Sequence, residues 1–193
     1  MKKEAIEREI SRLELYEKHG ETYTNDKGSY GWRNPIRKDT GRILQSLMLA
    51  ANPNRILEIG TAHGLSALYF ILGVNNQCVM DTIEFDQSVA TQTQNLMKEL
   101  DVKVKVICGE AMGVLNSLNE PYDAIFFDAQ KSHYGQQLEL ILSKGLLRKN
   151  GLIIADNVLD RYEECKDFYL KLDEYKIDYT VIETECGLLV AKY

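Results

Sequence analysis

Two short segments carry the residue types best suited to chemistry. They are Asp128-Ala-Gln-Lys131 and Asp156-Asn157, and each directly follows an apolar run, Tyr122–Phe127 and Gly151–Ala155. If those runs are adjacent parallel strands, their carboxyl ends bring two carboxylates and one amide oxygen together. An all-oxygen set of this kind suits a hard cation with octahedral preference, Mg²⁺ or else Mn²⁺ or Ca²⁺, and leaves positions for water or substrate. Neither His nor Cys is required. Lys131 follows Asp128 by three residues, and a lysine partly desolvated beside a cation gives up its proton more readily and becomes a base near neutral pH. Taken singly, Asp128 also reads as a helix cap and Asp156-Asn157 as a turn. Their joint occurrence with Lys131 is what points to a site.

A second constellation lies upstream. Arg55-Ile-Leu-Glu-Ile-Gly-Thr-Ala-His-Gly64 reads as a strand, a glycine-containing turn and the start of a helix. That places the turn at the carboxyl edge of a sheet, where open α/β folds bind ligands. Gly60 and Gly64 allow close backbone approach, the helix N-terminus offers free N–H groups to a carboxylate, and Ser66 adds a hydroxyl. The spacing is ExGxxxG, whereas the dinucleotide fingerprint GxGxxG admits a pyrophosphate. Glu58 would repel a pyrophosphate but suits the ammonium end of an amino-acid ligand. The next strand ends in Glu84-Phe-Asp86, where an acid is placed to accept both hydroxyls of a ribose; Glu84 is the first candidate and Asp86 the fallback. His63 and His133 read as loop histidines.

The elements that must position these residues follow from periodicity. Short β-branched and aromatic runs alternate with stretches of helical period, the mark of parallel βαβ units. Strands are expected near Arg55–Ile59, Cys78–Glu84, Lys103–Cys108, Tyr122–Phe127 and Gly151–Ala155, and helices over Leu65–Leu72, Ser88–Leu100, Ala111–Leu118, Tyr134–Lys144 and Arg161–Tyr175, with Ser88 as an N-cap. Tyr179–Glu183 and Gly187–Lys192 are too close for anything but an antiparallel hairpin. Ahead of the sheet come an amphipathic helix over Lys2–Lys18 with Ile6, Ile10 and Leu13 on one face, a polar loop or lid over Gly20–Asn34, and a helix over Arg37–Ala51.

The 193 residues, 45% hydrophobic and 27% charged, fit one soluble domain, with 1–52 supplying N-terminal helices and a lid and 53–193 the α/β core. No run approaches the roughly 18 apolar residues of a membrane span, and a cytoplasmic location is expected. The net charge of −6 gives no global attraction to nucleic acid. Cys78, Cys108, Cys165 and Cys186 form no CxxC pair and read as reduced packing residues.

Arg55–Gly64, DAQK and ADN together resemble the motifs of class I methyltransferases that use S-adenosylmethionine (SAM). More narrowly, they resemble the metal-dependent O-methyltransferases that include the catechol and caffeoyl-CoA enzymes. The resemblance implies a Rossmann-like fold with a seven-stranded, mostly parallel sheet, a C-terminal antiparallel hairpin and helices on both faces. It further implies that Glu58, Gly60 and Ser66 surround the methionine portion of SAM, Glu84 the ribose, and Gly109, Glu110 and Ala111 the adenine, with Ile36 and Asp128 also facing the cofactor. Asp128, Asp156 and Asn157 would bind the metal, Lys131 would act as base, and Trp32 would stand in the acceptor wall.

The long insertion that shapes the caffeoyl-CoA pocket is missing after Asn157, which favours a small catechol-like acceptor. Pro35–Gly64 also resembles bacterial tRNA 5-hydroxyuridine methyltransferases of the same family, and Arg33, Arg37, Lys38, Arg42 and Arg55 form a locally basic segment able to meet phosphates. A non-catalytic SAM-binding module is a further alternative. The apolar face of the first helix is also suited to burial in a homodimer.

Overall fold

Alternating apolar runs and amphipathic stretches assemble into a three-layer α/β sandwich. A computed structural model describes residues 2–17, 22–24, 30–32, 35–75 and 77–193, without the side chains of 16, 17, 22–24 and 30–32. In chain order the elements are α1 (Lys2–Glu17), β1 (Thr22–Thr24), β2 (Tyr30–Trp32), α2 (Lys38–Ala51), β3 (Arg55–Ile59), α3 (Leu65–Gly73), β4 (Val79–Glu84) and α4 (Gln87–Glu99). There follow β5 (Val104–Cys108), α5 (Ala111–Ser117), β6 (Tyr122–Phe127), a 3₁₀ turn at Lys131–His133, α6 (Tyr134–Ser143), β7 (Leu147–Ala155), α7 (Tyr162–Glu174), β8 (Tyr179–Ile182) and β9 (Leu188–Lys192).

Seven strands form one sheet in the order β5-β4-β3-β6-β7-β9-β8. The first five are parallel, and β9 runs antiparallel to both β7 and β8. The chain winds outward from β3 to β5, then returns to place β6 on the other side of β3. The crevice at the carboxyl ends of β3 and β6 is therefore the topological switch point, the usual ligand position in open α/β sheets.

Register lines up the chemistry. Ile83, Ile59, Phe127 and Ala155 pair across β4, β3, β6 and β7. The next residue on each strand forms a second row: Glu84, Gly60, Asp128 and Asp156. Backbone bonds carry the ladder into that row, from Gly60 N to Ile83 O (3.0 Å), Asp128 N to Ile59 O (2.9 Å) and Asp156 N to Phe127 O (3.1 Å).

Side-chain alternation along the strands splits the core in two. Leu57, Ile59, Ile125, Phe127 and Ile153 pack with Tyr134, Leu138, Phe168 and Leu172 of α6 and α7, whereas Ile56, Phe126 and Ile154 pack with residues of α1, α2 and α3. Ile6, Ile10 and Leu13 of α1 are 3%, 6% and 2% exposed within that second cluster. Each such burial contributes about 1.5–3 kcal/mol. The apolar face of α1 is thus consumed inside this chain, and it gives no ground for a homodimer. Glu14 fastens the helix further by accepting bonds from Tyr69 and from Lys38.

Several local expectations are corrected. The cap of α4 is Asp86, which accepts from Ser88 N (2.8 Å) and Val89 N (3.1 Å), so Ser88 lies inside the helix. Strand β7 begins at Leu147, before the glycine at 151. The stretch expected as a loop or lid contains the antiparallel pair β1–β2; residues 20, 21, 25–29, 33 and 34 lie outside the described residues. All four cysteines are free, but only Cys78 and Cys165 are buried, and Cys108 is exposed. Among the described residues no helix is long and apolar enough to cross a membrane.

Candidate active site

The turn after β3 is shaped by residues that tolerate or are forced into positive φ. Gly60 has φ +104° and Gly64, the N-cap of α3, φ +82°. A β-carbon on Gly60 would lie 2.5 Å from the carbonyl oxygen of Asp128 and 2.9 Å from the nitrogen of Ala129. The turns that end β3 and β6 therefore touch backbone to backbone. Ala62 also has positive φ, +43°. It is held there by its N–H donating to Glu84 (2.9 Å) and its carbonyl accepting from Thr93 (2.7 Å).

Glu58 is fully buried beneath this turn and accepts hydroxyl bonds from Ser66 and Thr82, whose own hydroxyl is shared with Thr61. Burial pushes its carboxyl up to about 8; the Ser66 and Thr82 hydroxyls pull the other way, and the charges of Asp128 and Glu84 add to the rise. Ser66 is therefore a partner of Glu58. For an acid whose folded pKa is raised, the stabilising contribution is complete below the unfolded value of 4.5 and is lost as pH rises through about 8. The melting temperature of the ligand-free protein is expected to fall between pH 5 and pH 8, and Glu58→Gln to flatten that slope. Parallel slopes for the two proteins in thermal melts would contradict this.

At the end of β4, Glu84 accepts from Ala62 N and from Asp86 N (both 2.9 Å), which fixes its carboxylate in the crevice with lone pairs to spare. Asp86 is committed to capping α4, so Glu84 is the better placed of the two acids. Phe85 between them is 74% exposed, an aromatic face left open beside the crevice. Beyond β5, Gly109 N donates to Glu84 O (2.9 Å). Glu110 caps α5, accepting from Met112 N (2.9 Å) and Gly113 N (2.8 Å), and these bonds hold its carboxyl below the usual range. Ala111 opens that helix.

Asp128 and Asp156 stand side by side in the row. Asp156 is 4% exposed, and its Oδ1 is a buried acceptor without a hydrogen-bond partner. Burial pushes its carboxyl up to about 7, with the charge of Asp128 adding to the rise and the Asn157 N–H and Lys131 opposing it. Asp128 is raised by burial and lowered by Lys131, whose Nζ lies 3.1 Å from Asp128 Oδ1. Asn157 adopts φ +63°, a left-handed conformation that asparagine tolerates better than most residues. Two crowded carboxylates, an orphan carboxylate oxygen and a neighbouring amide match the donor chemistry of a hard divalent cation. Among the described residues no group of three or more His, Cys, Asp or Glu gathers for a metal, so a cation here would depend on the amide as its third ligand.

The structure does not bring all the sequence candidates together. Ile36 is 4% exposed and packed in the α1–α3 core. Trp32 ends β2, and its side chain lies outside what is described, as does Arg33. Of the basic segment, Arg37, Lys38 and Arg42 line one open pocket together with Asp39 and Glu185, and Arg55 lies apart from them. Arg37 pairs with Glu185 (2.7 Å) and Lys38 with Glu14 (2.7 Å). Arg55 begins β3 at the opposite edge of the sheet, bound to Asp81 (3.3 Å) and stacked over Tyr122.

A strand-end site of this kind on a seven-stranded sheet with an inserted antiparallel strand defines a Rossmann-like methyltransferase architecture. The fold is similar to the O-methyltransferase from Bacillus cereus solved in complex with SAH, at TM-score 0.78 and 22% identity, over 98% of this chain and 90% of that one. It is equally similar to the SAH-bound methyltransferase PaMTH1 of Podospora anserina, at TM-score 0.80 and 23% identity, over 95% of this chain and 87% of that one.

In sequence, residues 15–165 match the O-methyltransferase family model, and the chain belongs to that family. It is 28% identical to bovine catechol O-methyltransferase over 144 residues, 71% of this chain and 52% of that protein. It is 31% identical to the catechol O-methyltransferase of Niastella koreensis over 130 residues, 64% of this chain and 58% of that protein. The matched region thus spans about half the length of these curated relatives.

Proposed function

We propose that this protein transfers a methyl group from SAM to a hydroxyl of a small catechol-like acceptor with the help of a divalent cation. The observation that carries this reading is the single row of Glu84, Gly60, Asp128 and Asp156 at the switch point, with the unpartnered Asp156 Oδ1 beside the Asp128–Lys131 pair. The identity to catechol O-methyltransferases supports the acceptor class.

In this reading the turn at Gly60 and the N-terminus of α3 receive the amino-acid end of SAM, with buried Glu58 bracing the turn from beneath through Ser66 and Thr82. Glu84 accepts the ribose hydroxyls, and the Gly109–Ala111 turn borders the adenine. Asp128, Asp156 and Asn157 would hold the cation, which when bound would supply Lewis-acid polarisation that makes an acceptor hydroxyl easier to ionise. Lys131 Nζ, once it has given up its own proton and stands as a neutral amine, takes the hydroxyl proton and becomes an ammonium. The acceptor oxygen then forms its bond to the methyl carbon as the carbon–sulfur bond breaks in line. Rigid strand ends hold both reactants, and alignment of two substrates contributes on the order of 7–11 kcal/mol.

Titrating Mg²⁺ against initial rate tests the cation. The wild-type rate is expected to rise to saturation and Asp156→Ala to lose the metal-stimulated component. A wild-type rate that is indifferent to both Mg²⁺ and EDTA would remove the cation from the account.

A further inference from the structure

We infer that Tyr134 is a positioning residue that fixes both metal-binding strand ends and the base, an inference that rests on the methyl-transfer reading above. Tyr134 opens α6 and is fully buried. Its hydroxyl donates to Phe127 O at 2.9 Å and lies 3.4 Å from Asp156 O. Phe127 O also accepts from Asp156 N (3.1 Å). Phe127 is the residue directly before Asp128, so one phenol hydroxyl meets the backbone on both sides of the cation position.

The ring is locked in turn. It packs against Phe127 (5.5 Å between centroids) and edge-on to Phe168 (5.6 Å), and those two pack on each other at 5.2 Å. Lys131 Nζ lies over the same ring, 5.7 Å from its centroid. A face of negative quadrupole there holds the ammonium by cation–π attraction. The hydroxyl therefore acts on the carboxylate ends of the strands and the ring on the lysine. The two roles separate by substitution, because phenylalanine removes only the first and leucine removes both.

Partners that orient metal ligands from behind are worth about 10–100-fold in metal affinity when lost. Mn²⁺ binding, followed by electron paramagnetic resonance of the free ion without SAM or acceptor, is expected to weaken about tenfold in Tyr134→Phe, at a temperature well below its melting point. At saturating Mn²⁺ that variant is expected to recover the wild-type kcat within about twofold, since its ring still carries Lys131, whereas Tyr134→Leu stays at least about tenfold lower. A purely structural role would lower the melting temperature and leave Mn²⁺ affinity of the folded protein unchanged. Wild-type affinity in Tyr134→Phe overturns the inference and leaves the methyl-transfer reading standing. Absence of Mn²⁺ binding by the wild type overturns the cation reading and the inference with it.

Discussion

Replacing Lys131 by alanine is expected to lower kcat by about 10²–10⁴-fold, the usual contribution of a positioned general base, while SAM affinity changes by less than about twofold. The separation follows from the geometry. Lys131 belongs to the 3₁₀ turn after β6 and contacts Asp128 at 3.1 Å, whereas most of the residues proposed to hold the cofactor lie in the turns after β3, β4 and β5. Its ammonium competes for Asp128, so the alanine variant should bind Mg²⁺ as tightly as the wild type or more tightly. Lys131→Arg should not rescue turnover, because a guanidinium keeps its proton. Isothermal titration with SAM and with Mg²⁺, beside steady-state rates, separates these quantities. Wild-type turnover in either variant would remove Lys131 from the role of base.

Gly60→Ala is expected to cost more than about 3 kcal/mol of stability and to abolish SAM binding in whatever fraction stays folded. Two causes add. At φ +104° the backbone suits few L-residues, and the new methyl would meet the Asp128 carbonyl oxygen at 2.5 Å. That oxygen is backbone at the end of a central strand, so relief requires the β3 and β6 turns to separate, which disturbs the cofactor crevice and Asp128 together. Gly145 is the matched control, since its φ of +66° carries a conformational penalty but nothing lies within 4 Å of an added β-carbon. Gly145→Ala should cost only about 1 kcal/mol. Equal denaturant midpoints for the two variants would show that the contact between the turns is not tight.

The row of candidate residues was legible in the sequence because Glu84, Gly60, Asp128 and Asp156 each end an apolar run. Once the runs are parallel neighbours, register does the rest. The C-terminal hairpin was legible from its short connection alone. What sequence left open was side-chain commitment. Ser88 and Asp86 are both good caps, and only the start of α4 at Gln87 decides between them. Glu58 reads as facing a ligand, yet it is fully buried and accepts from Ser66 and Thr82, the latter from a neighbouring strand that spacing does not reveal. Arg37, Lys38 and Arg42 stay together around one pocket, but Arg55 begins β3 and pairs with Asp81, so the basic segment loses that member in three dimensions. Tyr134 reads as an ordinary first residue of a helix; its value comes from two carbonyls on different strands. The short pair β1–β2 has too few residues for an alternating pattern to stand out.

The central claim is tested most directly by following labelled methyl from SAM into a catechol panel and into bulk tRNA, each with Mg²⁺ and with EDTA. The account predicts label in catechols, lost on chelation, and none in tRNA. Label confined to tRNA, or transfer to catechols that survives EDTA, would contradict it.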